Sequence, residues 1–378
     1  MKLKHIKWYA FGILIIITAV LAVATVTEKI FGTDFVACCI YGAWWFVALW
    51  CALAIMSFVY IVGRALYRRK TVFVLHCAFG MILLGALVTF LTARRGYMHI
   101  RQGEISNEYV SEKTGIPQNL PFDVKLVLFD IEYHPASYEP ADFISFLKID
   151  NEICRVSMNK IYSHKGYRFC QMDYDTDEMG TVLMINHDPY GISVTYTGYF
   201  LLALSMLIIL LVKFRWRIFY IFIPLACLWY YISQLNQMTP VLRSPMLAAH
   251  VSVIMLSYAL FVFITATGIT GVLSKRLRVK LYKLNQSLLY PALFMLAAGI
   301  FIGAVWANIS WGRYWGWDAK ETWALITMLV YAVPVHGSSF SMFRNPVKFH
   351  TYCIFAFFAV AVTFFGVSYF LGGIHSYV

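Results

Sequence analysis

Residues 246–273 read MLAAHVSVIMLSYALFVFITATGITGVL, a run without a single Asp, Glu, Lys or Arg. About 20 apolar residues are enough for a helix to cross the hydrocarbon core of a bilayer. Hydrophobic residues make up 60% of the 378-residue chain, charged residues make up only 13%, and the mean hydropathy is +0.67. The chain is therefore predicted to be an integral membrane protein.

Apolar runs of this kind recur along the chain and give nine candidate spans. The predicted fold class is an α-helical polytopic membrane protein with about nine transmembrane helices, a cytoplasmic N-terminus and one small extracytoplasmic β domain. The first run lacks a clear small-residue cleavage site and is followed by further runs, so we expect an anchor rather than a cleaved signal. The runs lie near residues 8–26, 36–63, 72–93, 193–212, 218–236, 246–273, 287–305, 322–337 and 349–371.

The basic residues predict the orientation, because Lys and Arg are retained on the cytoplasmic side of a membrane. With nine spans and the N-terminus inside, five basic segments fall on that one side. The formal net charge of +12 is then explained by topology, and no basic patch interleaved with aromatic residues indicates nucleic-acid binding. The five segments are residues 1–7, 64–70, 213–217, 274–283 and 343–348.

Segment 94–191 is the only sizeable soluble part that the sequence predicts. Alternating and β-branched patterns separated by turn residues favour a small β sandwich. Its two cysteines, Cys154 and Cys170, either form a disulfide in an oxidising compartment or belong to the core. The other six cysteines show neither a metal-binding spacing nor a CxxCH haem-attachment sequence. The predicted strands cover residues 123–133, 143–150, 153–159, 166–175 and 180–186.

Four histidines form two pairs in this topology. Counting about 1.5 Å per helical residue places His76 and His336 at the same depth, roughly 20 to 25 Å below the outer surface. His250 and His375 both fall at the outer face. Ionisable residues inside a membrane usually face the bundle interior or a cavity, and neutral imidazole is a good iron ligand. The alternative is that each is a hydrogen-bonded interfacial side chain, which is our interpretation of His5, His99, His134, His164, His187 and His350.

Residues 311–323, WGRYWGWDAKETW, contain four tryptophans, an aspartate and a glutamate between two apolar runs. Asp318 and Glu321 fit a helix start, with Asp318 as N-cap. Tryptophans are common in interfacial belts, but a belt does not need so many indoles separated by WG turns. A flat apolar macrocycle does need stacked indole faces, and indole N–H groups can meet its propionates. The segment therefore indicates a haem-binding surface.

Three motifs, WGRYWGWDAKETWALITMLVYAVPVH, LAAHVSVIMLSYALF and GGIHSYV, closely resemble the tryptophan-rich WWD haem-handling family of cytochrome c biogenesis, the system II cytochrome c synthase. Three others, LHCAFGMILLGALVTF, VSMNKIYSHKGYRFCQMDYD and HDPYGISVTYTGYFLL, resemble the partner subunit of that synthase. Their order resembles a fused ResB–CcsA protein that is shorter than usual. The divisions implied are 1–93 (ResB-like transmembrane helices 1–3), 94–191 (ResB-like β domain), 192–245 (transmembrane helices 4–5 and linker) and 246–378 (CcsA-like domain with WWD loop 306–323).

The resemblance implies a haem lyase in the bacterial cytoplasmic membrane with an extracytoplasmic active site. Haem b would be both ligand and substrate, and an apocytochrome c with a CxxCH motif would be the partner. A thiol-reducing protein and membrane lipid are considered as further partners. His250 and His375 would be axial ligands of an outer haem, and His76 and His336 would form a transmembrane haem site. The residues expected to position haem are Trp311, Trp315, Trp317, Asp318 and Trp323.

Two other functions use similar residues. A haem exporter or chaperone without ligase activity would contain the same motif. A membrane di-haem electron carrier would also use paired histidines, normally within facing helices and not beside a loop at the outer face. The β domain and the helix around His76 favour the complete synthase.

Overall fold

The computed structural model describes residues 3–371 except 135–137, 139, 159, 215–218, 234–243 and 338. Along the sequence, helices both precede and follow one β domain. The helices are α1 (Leu3–Phe31), α2 (Thr33–Val36), α3 (Trp44–Gly63), α4 (Lys70–Thr92), α5 (Gly191–Phe214), α6 (Phe219–Ser233), α7 (Pro245–Leu273), α8 (Arg278–Trp311), α9 (Ala319–Val335) and α10 (Pro346–Ala361), which continues as the π-helical segment Val362–Leu371.

Within the described ranges, seven helices are long and apolar enough to cross a membrane. These are α1, α3, α4, α5, α7, α8 and α10 with its π-helical continuation. Helices α6 and α9 coincide with the other two predicted spans but have only 15 and 17 residues. The polytopic helical class is confirmed, and nine crossings and their orientation remain a prediction.

Close helix packing depends on small residues, as is common between membrane helices. A Cβ atom on Gly85 of α4 would lie 2.2 Å from the Thr195 hydroxyl of α5, so only glycine permits that approach. A Cβ on Gly299 of α8 would lie 2.5 Å from the Ile254 side chain of α7. Helices α7 to α10 share one buried core, and the α1 residues Ile17 and Leu21 are fully buried in a second core together with Ile326 of α9.

The β domain is one continuous antiparallel sheet of eight strands in the order β5-β4-β3-β2-β1-β8-β7-β6. Three strands, β1, β2 and β6, were not predicted because their stretches are short, polar or directly continuous with a helix. The strands are β1 (Arg94–Arg101), β2 (Ile105–Ser111), β3 (Pro117–Tyr133), β4 (Pro140–Ile149), β5 (Glu152–Ser157), β6 (Tyr162–His164), β7 (Tyr167–Tyr174) and β8 (Gly180–His187).

The sheet folds over on itself, which gives two layers without two separate sheets. The buried hydroxyl of Ser145 on β4 donates a hydrogen bond of 2.6 Å to Gln171 on β7, although the two strands are not neighbours in the sheet. The Gln171 side-chain amide donates to Thr181 on β8 at 2.8 Å. The predicted sandwich is thus corrected to a single curved sheet around one hydrophobic core.

The two cysteines of the β domain are free and buried. The Cys154 thiol donates to the Leu147 carbonyl at 3.3 Å, within the pair of strands β4 and β5. Burial raises the pKa of Cys154 to about 11 and the pKa of Cys170 to about 12. Of the two sequence-based alternatives, the structure has the core cysteines and not the disulfide.

Candidate functional site

The helix bundle has two ends, which we name the sheet end and the basic end after the features that lie beside them. The sheet end adjoins the β domain, because α4 leads into β1 and α5 follows β8. The basic end is the opposite end, where α1 begins and where α3 is followed by Arg64, Arg68 and Arg69. Each end contains one group of candidate residues.

The structure brings His76 and His336 together near the basic end. His76 lies in the second turn of α4, and His336 is the C-cap of α9. Their ring centroids are 6.0 Å apart and the ring planes are nearly perpendicular, at 81°. The two residues are 260 positions apart in the chain, so only the fold joins them.

Both imidazoles are oriented in the same way. The Nδ1 atom of His76 lies 2.8 Å from the Val72 carbonyl, and the Nδ1 atom of His336 lies 2.8 Å from the Ala332 carbonyl. A carbonyl only accepts, so these bonds assign the proton to Nδ1 and leave a lone pair on each Nε2. Neither Nε2 has a hydrogen-bond partner among the described residues.

This geometry fits a metal with two imidazole ligands. A bond from a metal to an imidazole nitrogen is about 2.0 Å long. Two such bonds in line, together with the distance from nitrogen to centroid in each ring, place the two ring centroids about 6 Å apart. A hydrogen bond from the second ring nitrogen to a carbonyl is the usual support for a ligating histidine. The Phe11 ring from α1 lies edge-on to His336 at 5.7 Å and gives the pair an apolar wall.

His250 lies at the sheet end, in the second turn of α7. Its Nδ1 is 2.7 Å from the Gly299 carbonyl of α8. Gly303, one turn further, gives room for the ring, since a Cβ there would lie 2.6 Å from it. The neighbouring α7 residue Leu247 packs with Trp306 and Trp311. His375 lies outside the described residues, so the outer pair remains a prediction.

The tryptophans contact different neighbours, although Trp315 and Trp317 also lie edge-on to each other at 5.7 Å. Trp311 packs edge-on against Trp306 at 4.8 Å. Trp315 borders the core of α7 to α10. Trp317 and Trp323 face the core that α1 and α3 share with α9. Their shared role as haem-positioning residues remains a prediction.

The predicted loop 306–323 is shorter in the structure. Helix α8 continues through Trp306 to Trp311, because neither glycine nor proline occurs between Trp306 and Gly312. Gly312 ends the helix in the left-handed conformation, with φ of 69°. The loop is thus residues 312–318, followed by α9.

The carboxylates of Asp318 and Glu321 stabilise the loop and the start of α9 by accepting backbone hydrogen bonds. Asp318 is the N-cap of α9 and accepts a hydrogen bond from the Lys320 backbone at 2.9 Å, as the sequence predicted. The Glu321 carboxylate accepts from the Gly316 backbone N–H at 2.9 Å, two residues before the N-cap. Trp317 lies between Gly316 and Asp318. Its φ of 58° is a left-handed backbone conformation, which is unfavourable for a residue with a side chain.

Tyr41, in the short π-helical segment Ala37–Tyr41 before α3, stabilises this strained tryptophan, and α1 holds the nearby Trp323. The Trp317 ring is stacked on Tyr41 at 4.7 Å with an interplanar angle of 6°. The Trp323 indole N–H donates to the Thr25 hydroxyl of α1 at 3.0 Å. Sequence reasoning missed both partners, because nothing in residues 25–41 marks Thr25 or Tyr41 as the neighbour of a tryptophan.

Two indoles in this region retain an unused donor. The Nε1 atoms of Trp306 and Trp315 are buried and have no acceptor within the part of the chain that the structure describes. Buried donors without partners are rare in proteins and call for an explanation such as a ligand. They fit an anionic group of a macrocycle, such as a haem propionate.

The β domain is bound directly to the start of the loop. Arg168 on β7 donates to the Asn308 side chain at 2.5 Å and to the Gly312 carbonyl. Asn186 on β8 donates to the same carbonyl. Burial lowers the pKa of the Arg168 guanidinium. Arg168 was not singled out from the sequence, where it is one of many strand residues.

Replacing Arg168 with methionine is expected to loosen the loop. Hydrogen bonds from a charged donor contribute about 1.5–3 kcal/mol each, so hydrogen exchange of the amides in 312–318 should accelerate about 100-fold. The matched control is Arg155→Met, which removes ion pairs of an exposed side chain that are worth about 0–1 kcal/mol. Equal exchange rates in the two variants would contradict this role of Arg168.

Comparisons with known proteins cover most of the chain in two parts. Residues 190–375 match the family described as cytochrome C assembly protein. Residues 61–195 match the ResB-like family. The first match contains His250, the loop and His336, and the second contains His76. Residues 1–60 lie outside both.

Several relatives are similar to parts of the chain. Protein NrfI of Wolinella succinogenes is 36% identical over 156 residues, which cover 38% of this chain and 17% of NrfI. The cytochrome c biogenesis protein CcsA of Gloeobacter violaceus is 37% identical over 115 residues, covering 30% of this chain and 33% of that protein. CcsA of Parasynechococcus marenigrum is 36% identical over 178 residues, with 37% and 57% covered.

The chain thus spans between 17% and 57% of the length of these relatives. The ResB-like match and the cytochrome c assembly match follow each other in one polypeptide and meet near residue 190. The two matches confirm the resemblance of this chain to a fused ResB–CcsA protein of system II cytochrome c biogenesis.

Proposed function

We propose that this chain carries haem across the membrane and attaches it covalently to the CxxCH motif of an apocytochrome c. The observation that carries the proposal is the His76–His336 pair, with a ring distance of 6.0 Å and both Nδ1 atoms bonded to carbonyls. The two family matches support it, and two of the similar relatives are named for cytochrome c biogenesis. The alternatives of an exporter without ligase activity and of an electron carrier are not favoured.

Two haem positions are needed because the candidate residues lie at opposite ends of the bundle. Helix α9 alone separates the tryptophan loop from His336 by 17 residues, or about 25 Å. One haem cannot bind at both levels. Haem bound between His76 and His336 would therefore be an intermediate on the way to the sheet end.

The orientation of the chain in the membrane is part of the proposal. With nine crossings and a cytoplasmic N-terminus, the basic end faces the cytoplasm, and the β domain and the loop face outward. The membrane would be the bacterial cytoplasmic membrane, with the active site on its outer side. The divisions 1–93, 94–191, 192–245 and 246–378 are retained as proposed functional regions, and lipid surrounds the helices.

At the sheet end, His250 and His375 would be the axial ligands of haem b. The side chains of Trp311, Trp315, Trp317 and Trp323 would position it, with Asp318 holding the loop. The histidine of the CxxCH motif would then replace one of the two imidazoles. This exchange would place the substrate cysteines beside the haem vinyl groups.

The reaction needs no nucleophile from this chain. Each substrate S–H adds across a vinyl double bond, with sulfur bonding to one carbon and hydrogen to the other, so no atom leaves. The substrate thiols must be reduced, which a separate thiol-reducing protein would ensure. The task of the protein is to hold haem and thiols in register, which converts a bimolecular step into an effectively unimolecular one.

A peptide experiment tests the proposed activity. Purified protein loaded with reduced haem is mixed with a synthetic CxxCH peptide, and haem bound to the peptide is measured after acid denaturation. We expect linkage that fails when either cysteine or the histidine of the peptide is replaced. A protein that retains low-spin haem, ignores the peptide and exchanges electrons reversibly with quinones would instead be an electron carrier.

A further inference from the structure

Helix α1 lies outside both matched regions, yet its first turns pack against the turn that follows His336. The Phe11 ring is 4.5 Å from Phe340 and 5.7 Å from His336. Trp8 packs edge-on against Phe340 at 5.4 Å. The inner histidine pair is therefore bordered by a helix that neither family match includes.

Lys7 is the charged residue of this contact. Its ammonium group donates to the Ser339 carbonyl at 2.7 Å and lies 5.0 Å from the Trp8 ring and 5.8 Å from the Phe340 ring. The Ser339 backbone N–H in turn donates to the His336 carbonyl at 2.8 Å. Lys7 is thus held beside the turn that contains His336.

The position of Lys7 relative to the imidazole follows from helix geometry. Lys7 and Phe11 are four residues apart in α1, so they lie on the same face, about 6 Å apart along the axis. Phe11 contacts the His336 ring, and Lys7 lies one turn closer to the basic end. Lys7 would therefore be the ammonium group on the side of the histidine pair that faces the basic end.

Within the described part of the chain, no carboxylate neutralises the charge of Lys7. Fifteen of the nineteen acidic residues lie within 94–191. The other four, Glu28, Asp34, Asp318 and Glu321, lie near the sheet end, in the last turns of α1, in α2 and at the start of α9. Among the described residues, no carboxylate lies within 4.0 Å of the Lys7 ammonium group. An ammonium group has three N–H donors, and Ser339 takes one.

We propose that Lys7 binds a carboxylate of haem held between His76 and His336, so that α1 completes the inner site. This inference rests on the proposed function, which supplies the haem. Haem has two propionates that must be neutralised to enter a membrane, and a half-buried ammonium provides a charge-assisted hydrogen bond. A lipid phosphate is the other anion that this side chain can meet.

The test compares two porphyrins in the full chain, reconstituted in nanodiscs of zwitterionic or of anionic lipid. His250→Ala and His375→Ala are both present, so that only the inner pair can give a low-spin spectrum with two imidazoles. Haem b and its dimethyl ester, which lacks the propionate charges, are titrated into Lys7 and Lys7→Gln proteins. Lys280→Gln, which removes an exposed charge from α8 near the same end, is the control.

We expect Lys7→Gln to weaken haem b binding about tenfold, to leave ester binding unchanged, and to be rescued by Lys7→Arg. Equal weakening of both porphyrins would show a structural role and overturn the proposal. So would no weakening of either, or a Lys7 effect that appears only with anionic lipid. Failure of the proposed inner site itself gives a different result, because low-spin haem would then be absent with Lys7 present or would survive His76→Ala.

Discussion

Replacing either His76 or His336 with alanine is expected to lower the haem content of the purified protein at least tenfold. Loss of a residue that merely supports a ligand costs about 10- to 100-fold in metal affinity, and loss of the ligand itself should cost no less. The remaining imidazole would face iron that has no second protein ligand in a low-dielectric environment. Haem content and the visible spectrum of the reduced protein measure the effect.

Controls separate ligation from folding. His350 is also a buried imidazole near the basic end, but its two ring nitrogens contact Asn285 at 3.5 Å and the Arg278 carbonyl at 3.2 Å. His350→Ala should therefore reduce stability without changing the spectrum of the haem that is retained. Added imidazole should restore the low-spin spectrum of His76→Ala. Full haem in both the His76 and His336 variants would leave no role for an inner site.

The second large effect is expected for His250. In protein with a disabled inner pair that is loaded with added haem after purification, His250→Ala should convert low-spin haem at the sheet end to a largely high-spin form, because water is a weaker sixth ligand than imidazole. Attachment of haem to a substrate peptide should fall about 100-fold or more, since the haem would no longer be held in register. His375→Ala is expected to give the same result.

A pair of glycine substitutions makes the His250 test sharper. Gly303→Ala retains the histidine but places a methyl group 2.6 Å from its ring, so the imidazole must move. Gly80→Ala on α4 makes the same change where a Cβ has no neighbour within 4 Å. A shifted spectrum is expected for Gly303→Ala alone. Identical spectra in the two variants would show that the position of His250 does not matter to the haem.

The sequence predicted the features that depend on local patterns. Apolar runs predicted the helices, alternation predicted five of the eight strands, and counting residues along the spans placed His76 and His336 at one depth, where the structure has them in contact. The N-cap at Asp318 was equally local.

The remaining features depend on contacts between distant segments. The stacking of Tyr41 on Trp317 and the bond from Arg168 to Gly312 join residues 276 and 144 positions apart, and no pattern within either segment indicates its partner. The predicted start of the loop, at residue 306, was wrong because tryptophans favour neither loop nor helix strongly enough to mark the end of α8. The folding of one sheet over itself likewise arises from packing and not from strand patterns.

The most direct test of the central claim is maturation of a CxxCH reporter in a host without its own cytochrome c maturation system. This chain is co-expressed with the exported reporter, and haem that stays attached after denaturation is measured beside protein carrying His76→Ala or His250→Ala. The proposed function predicts covalent haem with the unaltered chain and little or none with either variant, while all three proteins insert in equal amounts. Absence of covalent haem with a well-inserted, haem-loaded chain and a reduced, correctly exported reporter would contradict the ligase activity.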